Sequence, residues 1–123
     1  MTLLMAQAEF RRSRVSLQGE AVIRGPNGDW RAPLGDVSIT GLNLPRPPGF
    51  NLRVGQALEV ELHCGPAGEG IDLFLLARVA RVDASTVGLR FAPMPDGLAR
   101  ALERVFERHG TLRGGTREPV VGN

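Results

Sequence analysis

Two short polar segments contain the residues of this chain that are best suited to chemistry. The segment Gly35–Gly41 places a carboxylate, a hydroxyl and a glycine close together, at Asp36, Ser38 and Gly41. The segment Arg11–Arg14 carries three guanidinium groups just before the first strand-like run. Guanidinium binds phosphate in a bidentate manner and stacks on aromatic rings, and a carboxylate accepts hydrogen bonds from the ring N–H and the amine of guanine. Together the segments predict a site for a ligand with phosphates and hydrogen-bonding bases.

The composition is that of one ordinary globular domain. The chain has 123 residues, of which 42% are hydrophobic and 23% charged, so it can form a core without a metal or a disulfide. Every basic residue is arginine, yet the net charge is only +2. A general nucleic-acid binder usually has a strongly basic face, so the charge argues against that class.

The single cysteine and the apolar segments bear on where the protein resides. Cys64 has no partner for an internal disulfide, which fits a reducing compartment. It lies in a strand-like run, so we expect a buried, unreactive thiol. The apolar start at residues 1–6 is too short for a secretory signal, and no run approaches transmembrane length. We therefore expect a cytoplasmic protein that does not insert into a membrane.

The sequence offers little for catalysis or metal binding. His63 and His109 lie in different predicted elements, with no cysteine or carboxylate cluster at zinc-ligand spacing. No serine has the context of a nucleophile elbow, and no glycine-rich loop opens a helix. We expect no enzyme activity, no metal site and no cofactor.

Alternating apolar residues between Gly/Pro-rich turns predict a β-rich body. In the clearest strand Leu58, Val60 and Leu62 share one face, with charged residues on the other. Long strands joined by short loops favour an antiparallel barrel or sandwich. The predicted strands are Val15–Arg24 with a disturbance at Gly19, Trp30–Leu34, Ala57–His63, Ile71–Val82 and Thr86–Phe91.

The periodicity changes to that of a helix near the end of the chain. Leu98, Leu102 and Val105 recur at helical spacing, and this apolar stripe should pack against the β-rich body. Asp96 occupies the position expected for an N-cap, and Gly110 the position expected for the helix end. Residues 111–123 are expected to form a disordered tail.

The order of these features resembles the PilZ domain, the bacterial receptor module for cyclic di-GMP. An arginine arm precedes the first strand, an Asp-x-Ser-x-x-Gly motif follows the second, and a helix ends a β-rich body. The resemblance runs from about Glu9 to His109 and includes the closing strands at Ala77–Val82 and Val87–Phe91. It implies a mainly β fold, a six-stranded antiparallel split β-barrel with a C-terminal α-helix, over residues 9–110 after a flexible lead at 1–8.

The resemblance also implies which residues bind the ligand. In the PilZ family an Arg-x-x-x-Arg arm holds the phosphates and stacks on the guanines, while the Asp/Asn-x-Ser-x-x-Gly strand receives the guanine edges. The second motif is present without departure in this chain. The residues that the resemblance assigns to cyclic di-GMP are Arg11, Arg12, Arg14, Asp36, Ser38 and Gly41.

The arm departs from the family pattern at its first arginine. Arg14 keeps the position of the second arginine, but the residue four positions earlier is Phe10. Arg11 is displaced from that position by one residue, or about 3.3–3.6 Å of extended chain, which an arginine side chain can span. Phe10 could itself stack on a guanine.

The resemblance implies a stand-alone receptor that passes the second-messenger signal to an unidentified partner protein, in motility, exopolysaccharide or biofilm control. One alternative is a PilZ-fold adaptor that no longer binds cyclic di-GMP. Another is an OB-like nucleic-acid-binding barrel, which the scarcity of aromatic residues disfavours. Each motif also has a plain structural interpretation: turn capping by Asp36 and Ser38, a bulge at Gly41, and a solvated basic patch at Arg11–Arg14.

Overall fold

A computed structural model of the chain describes residues 14–66 and 70–112. Nine strands and one helix occur in this part of the chain. In chain order they are β1 (Val15–Ser16), β2 (Gly19–Gly25), β3 (Gly28–Pro33), β4 (Asp36–Val37), β5 (Gly41–Pro45), β6 (Ala57–Cys64), β7 (Ile71–Val82), β8 (Thr86–Phe91), α1 (Asp96–His109) and β9 (Thr111–Leu112).

All the described strands belong to one antiparallel sheet. Its order is β3-β2-β6-β7-β8-β5-β4-β1-β9, and the sheet curves around one apolar core. The predicted fold class, a mainly β split barrel with one helix near the C-terminus, is confirmed. The strand count differs because β1, β4 and β9 have only two residues each, whereas the other six have between five and twelve.

The central strands follow the alternation in the sequence. In β6 the side chains of Leu58, Val60 and Leu62 are buried, and their neighbours point outward. Strand β7 buries its odd-numbered residues from 73 to 79 in the same way. The bounds predicted for β7 and β8 are those observed. Cys64 is buried at the end of β6, and burial raises the pKa of its thiol to about 11.

The predicted strand Val15–Arg24 is two strands, divided near Gly19. Gly19 has a φ of +143° and pairs with Cys64 of β6. A Cβ at this position would lie 2.0 Å from the carbonyl oxygen of His63. Only glycine lets β2 begin so close to β6, so the chain must break its extended path here.

The helix covers the core with the predicted stripe but begins differently. Leu102, Val105 and Phe106 are buried. The N-cap is Pro95, which makes no side-chain capping bond, so the prediction of Asp96 as N-cap is wrong. Asp96 is the first helical residue, where its charge favours the positive end of the helix dipole. The helix ends as predicted, and the N–H of Gly110 donates to the carbonyl of Phe106 at 2.8 Å.

The ends of the chain lie largely outside the described residues. The predicted lead at 1–8, the arm residues Arg11 and Arg12 and the tail beyond 112 all fall there. Thr111 and Leu112, which were predicted to start the tail, instead form β9 and pair with Ser16 and Val15. In the part of the chain that is described, no helix is long and apolar enough to cross a membrane.

Candidate nucleotide-binding site

The Asp-x-Ser-x-x-Gly motif lies on the tight hairpin between β4 and β5. Val37 pairs with Leu42, and the N–H of Ser38 donates to the carbonyl of Gly41 at 2.8 Å. Two residues therefore make the turn, and the second, Thr40, is exposed. The motif is thus a compact loop held at the sheet surface.

The hydroxyl of Ser38 holds this turn in shape. Ser38 is only 6% exposed. Its Oγ accepts from the N–H of Thr40 at 3.2 Å, lies 3.1 Å from Thr40 Oγ1 and donates weakly to the carbonyl of Gly41 at 3.4 Å. The turn-capping interpretation accounts for these contacts, so the structural role of Ser38 is to fix the hairpin.

Gly41 permits a close approach between β5 and β8. It pairs with Arg90, and the register from Gly41 to Pro45 is continuous, so no bulge occurs here. A Cβ on Gly41 would lie 2.2 Å from the carbonyl oxygen of Leu89. The bulge interpretation is therefore wrong, and glycine is required because the two backbones leave no room for a side chain.

Arg14 and Asp36 lie on neighbouring segments beside this hairpin. Arg14 is exposed and directly precedes β1, whereas Asp36 is half-buried on β4 opposite Ser16. The pairing of β1 with β4 brings the last residue of the arm next to the motif. Arg14 lines a surface cleft together with Thr40 and Gly41. Asp36 and Ser38 do not line this cleft.

The cleft, which we call the arginine cleft, has a volume of about 220 Å³. Three arginines line it, Arg14 before β1, Arg81 of β7 and Arg90 of β8, and no carboxylate is among the described residues that line it. Guanidinium groups that converge on a cleft without a carboxylate in its lining favour an anionic ligand, above all phosphate.

Arg81 reaches over a glycine to the opposite side of the cleft. Gly88 of β8 pairs with Arg81 on one side and with Asn43 of β5 on the other. The Nη2 of Arg81 donates to Asn43 Oδ1 at 2.7 Å, and its Nε lies 3.4 Å from Asp83 Oδ2. A Cβ on Gly88 would lie 3.1 Å from Asn43 Oδ1, so glycine keeps this path open. The bonds fix the guanidinium at the cleft floor.

Sequence reasoning missed Arg81 and Arg90. Both lie in strands that carried the family resemblance, but no role followed from their positions. The β7–β8 register shifts between Val79 and Arg81, so simple alternation along β7 cannot show which way Arg81 points. Arginines at the outward positions of two paired strands were the available signal.

The fold and the cleft define a small, mostly β module with an arginine-lined cleft at its surface. The sequence model of the PilZ domain family matches residues 7–108. The chain therefore belongs to the PilZ domain family, as the motif predicts. No curated protein is similar enough in sequence to count as a relative.

Solved structures with this fold include three that are distant in sequence. The Bacillus subtilis inhibitor of motility MotI/DgrA is 17% identical, with a TM-score of 0.66, and the match covers 78% of this chain and 49% of that one. The PilZ domain of CeSA from a cellulose-synthesizing bacterium is 15% identical, with a TM-score of 0.57, and the match covers 76% of this chain and 95% of that one. Borreliella burgdorferi PlzA in complex with c-di-GMP is 12% identical, with a TM-score of 0.52, and the match covers 86% of this chain and 55% of that one. This chain thus spans about half of the motility inhibitor.

Proposed function

We propose that this chain is a cyclic di-GMP receptor that passes the signal to a partner protein. The observation that carries the proposal is the arginine cleft, in which Arg14, Arg81 and Arg90 converge beside the hairpin of the family motif. Membership of the PilZ family supports it, and a protein of similar fold, PlzA, has been solved with c-di-GMP.

Each part of the ligand has a suitable group in this region. The phosphates would be bound by the guanidinium groups of the cleft, with Arg11 and Arg12 of the arm closing over them. Asp36 would accept hydrogen bonds from the ring N–H and the amine of guanine. Adenine lacks that pair of donors, so the site should prefer the guanine dinucleotide.

The output of such a receptor would be a protein contact. The proposal assigns the chain no catalysis, no metal and no nucleic-acid ligand, and it places the protein in the cytoplasm. Motility, exopolysaccharide or biofilm control would be the regulated process. The fold shared with an inhibitor of motility is consistent with the first of these.

One feature of the sequence favours a second candidate, an adaptor that has lost the ligand. Phe10 stands where the family has the first arginine of the arm. An arm with one arginine in register would hold the phosphates less firmly, and the domain could then act through protein contacts alone.

The experiment that tests the proposal is calorimetric titration of the full chain with cyclic di-GMP and, as the matched ligand, cyclic di-AMP. We expect binding of the first and at least tenfold weaker binding of the second. Asp36→Ala should lose most of the affinity, because unpaired donors cost about 1–3 kcal/mol each. Equal affinity for the two dinucleotides would refute the role given to Asp36.

The variant Phe10→Arg separates the receptor from the adaptor. If Arg11 already serves the ligand, an added exposed charge contributes under about 1 kcal/mol, so both proteins bind within about tenfold. If wild type does not bind and the variant does, the chain is an adaptor. If both proteins are folded and neither binds cyclic di-GMP, the proposed ligand site is refuted and only the family assignment stands.

A further inference from the structure

Two large apolar side chains project from the outer face of β7, away from the arginine cleft. Phe74 is 65% exposed and Leu76 is 62% exposed. They occupy alternate positions of one strand, so they stand side by side on the same face. Exposed neighbouring apolar groups on a small domain often mark an interaction site.

Carboxylates border this apolar pair on the β6 side. Glu59 lies directly opposite Leu76, and Glu61 lies opposite Phe74. Between the two strands runs a surface groove of about 270 Å³ whose floor is formed by buried Val60. We call it the acidic-apolar groove. One wall is apolar and the other is acidic.

Carboxylates outnumber guanidinium groups beside the groove, where Glu59, Glu61 and Asp72 stand with Arg24 and Arg78. Glu61 pairs with Arg24, whose Nη2 lies 2.7 Å from Glu61 Oε2, and with His63, whose Nε2 lies 3.4 Å from Glu61 Oε1. His63 also bonds Asp72 at 2.8 Å. Glu59 is exposed and makes no hydrogen bond or ion pair with the residues that the structure describes. Arg24 lies opposite Glu59 on β2, but its bonds go to Asp29 and Glu61, so the Glu59 carboxylate can still pair with an incoming cation.

We propose that the acidic-apolar groove binds an arginine or lysine side chain that projects from an apolar segment of a partner protein. The aliphatic stem of such a side chain packs on Leu76 and Phe74 while its charged head stays near water. The head lies over the ring of Phe74 and pairs with Glu59. This inference rests on the proposed function only in that an adaptor needs a surface for its partner.

The test uses a defined probe, a six-residue peptide that alternates leucine and arginine. Amide chemical shifts of the isotope-labelled full chain are followed by NMR during titration in 150 mM salt. A peptide that alternates leucine and glutamate is the matched control. We expect the arginine peptide to shift residues of β6 and β7 around Glu59 and Phe74, and the glutamate peptide to shift them little.

Variants with conservative shapes keep the test independent of folding. Phe74→Thr retains a residue suited to strands, and Glu59→Gln retains the shape of the side chain. Each variant should weaken the affinity for the arginine peptide about three- to fivefold, because a single cation–π contact or exposed ion pair contributes little free energy. Val54→Thr is the control, because Val54 is also 65% exposed but lies in the loop before β6. It should leave the affinity unchanged.

Three results would overturn the inference. The first is equal binding of the two peptides, and the second is unchanged affinity in both groove variants. The third is a concentration-dependent dimer in sedimentation velocity that Phe74→Thr abolishes, because a second copy would then be the occupant. Repeating the titration with saturating cyclic di-GMP separates this inference from the proposed function. If the protein binds the peptide but does not bind cyclic di-GMP, the inference about the groove stands and only the proposed receptor function is refuted.

Discussion

Replacing Gly41 with alanine should damage the fold and the candidate site together. The Cβ of alanine would lie 2.2 Å from the carbonyl oxygen of Leu89, whereas such contacts are essentially never shorter than 3.0 Å. Strands β5 and β8 must therefore separate at this point. Beside it, the N–H of Phe91 donates to the carbonyl of Thr40 at 2.8 Å, and a comparable displacement would break this bond.

The expected cost of Gly41→Ala follows from these terms. Overpacking costs about 1–3 kcal/mol, and a lost hydrogen bond adds about 0.5–1.5 kcal/mol. Alanine lowers the conformational entropy of the unfolded chain, which stabilises the fold by about 0.4–1 kcal/mol and offsets part of the loss. We expect a net loss of about 0.5–4 kcal/mol in the free energy of unfolding, or roughly 2–20 °C in Tm for a domain of this size.

Urea unfolding followed by circular dichroism measures this loss, and Gly97→Ala is the matched control. Gly97 lies in the first turn of α1, and a Cβ there meets nothing within 4 Å. That change should be neutral or stabilise by up to about 1 kcal/mol. If Gly41→Ala is as stable as wild type, the close approach of β5 and β8 is not what requires glycine.

Three further predictions concern single side chains. Arg14→Ala should weaken the binding of cyclic di-GMP at least about a hundredfold in calorimetry, since two charge-assisted contacts contribute about 1.5–3 kcal/mol each. Arg11→Ala should weaken binding less, and the reverse order would contradict the register of the arm. The hydrogen bond to Asp72 raises the pKa of His63 above 6.5, so any stability of wild type over His63→Gln should be present at pH 5.5 and lost at pH 8.5, as urea unfolding can show; a difference that grows with pH would contradict this. Cys64, with its pKa raised to about 11 by burial, should react with a disulfide reagent at pH 8 only as fast as the protein unfolds, and rapid labelling of the folded chain would refute its burial.

The long strands could be predicted from sequence because local alternation reports their burial directly. The bounds of β7 and β8 needed nothing beyond the period-two pattern and the flanking turns. A two-residue strand such as β4 has no period to detect, and its pairing with β1 depends on residues far away in sequence. The N-cap was predicted one residue too late along the chain. Pro95, with φ −60° and ψ 153°, is the cap, and Asp96 is the first residue of the helix.

The candidate site was only half predictable for the same reason. The motif is local, so its spacing marked Asp36, Ser38 and Gly41 as candidate residues, but neither β4 nor β5 was predicted around it. The arginine cleft is assembled from three separate strands, and a register shift next to Arg81 changes the direction of its side chain. No spacing along the chain encodes the pairing of Gly88 with both Arg81 and Asn43.

The arginine cleft and the acidic-apolar groove are carried by the same strand but do not overlap. Arg81 lies five residues beyond Leu76, or about 16 Å along β7 at 3.2–3.4 Å per residue. A ligand in the cleft could influence a partner by reshaping β7 or by offering the partner a second contact. Strand β7 pairs with β6 from Ile71 to Arg78 and with β8 from Ala77 to Val82, so reshaping it would disrupt ladders on both sides. The pairing therefore favours the second route, in which one partner touches both the groove and the bound nucleotide.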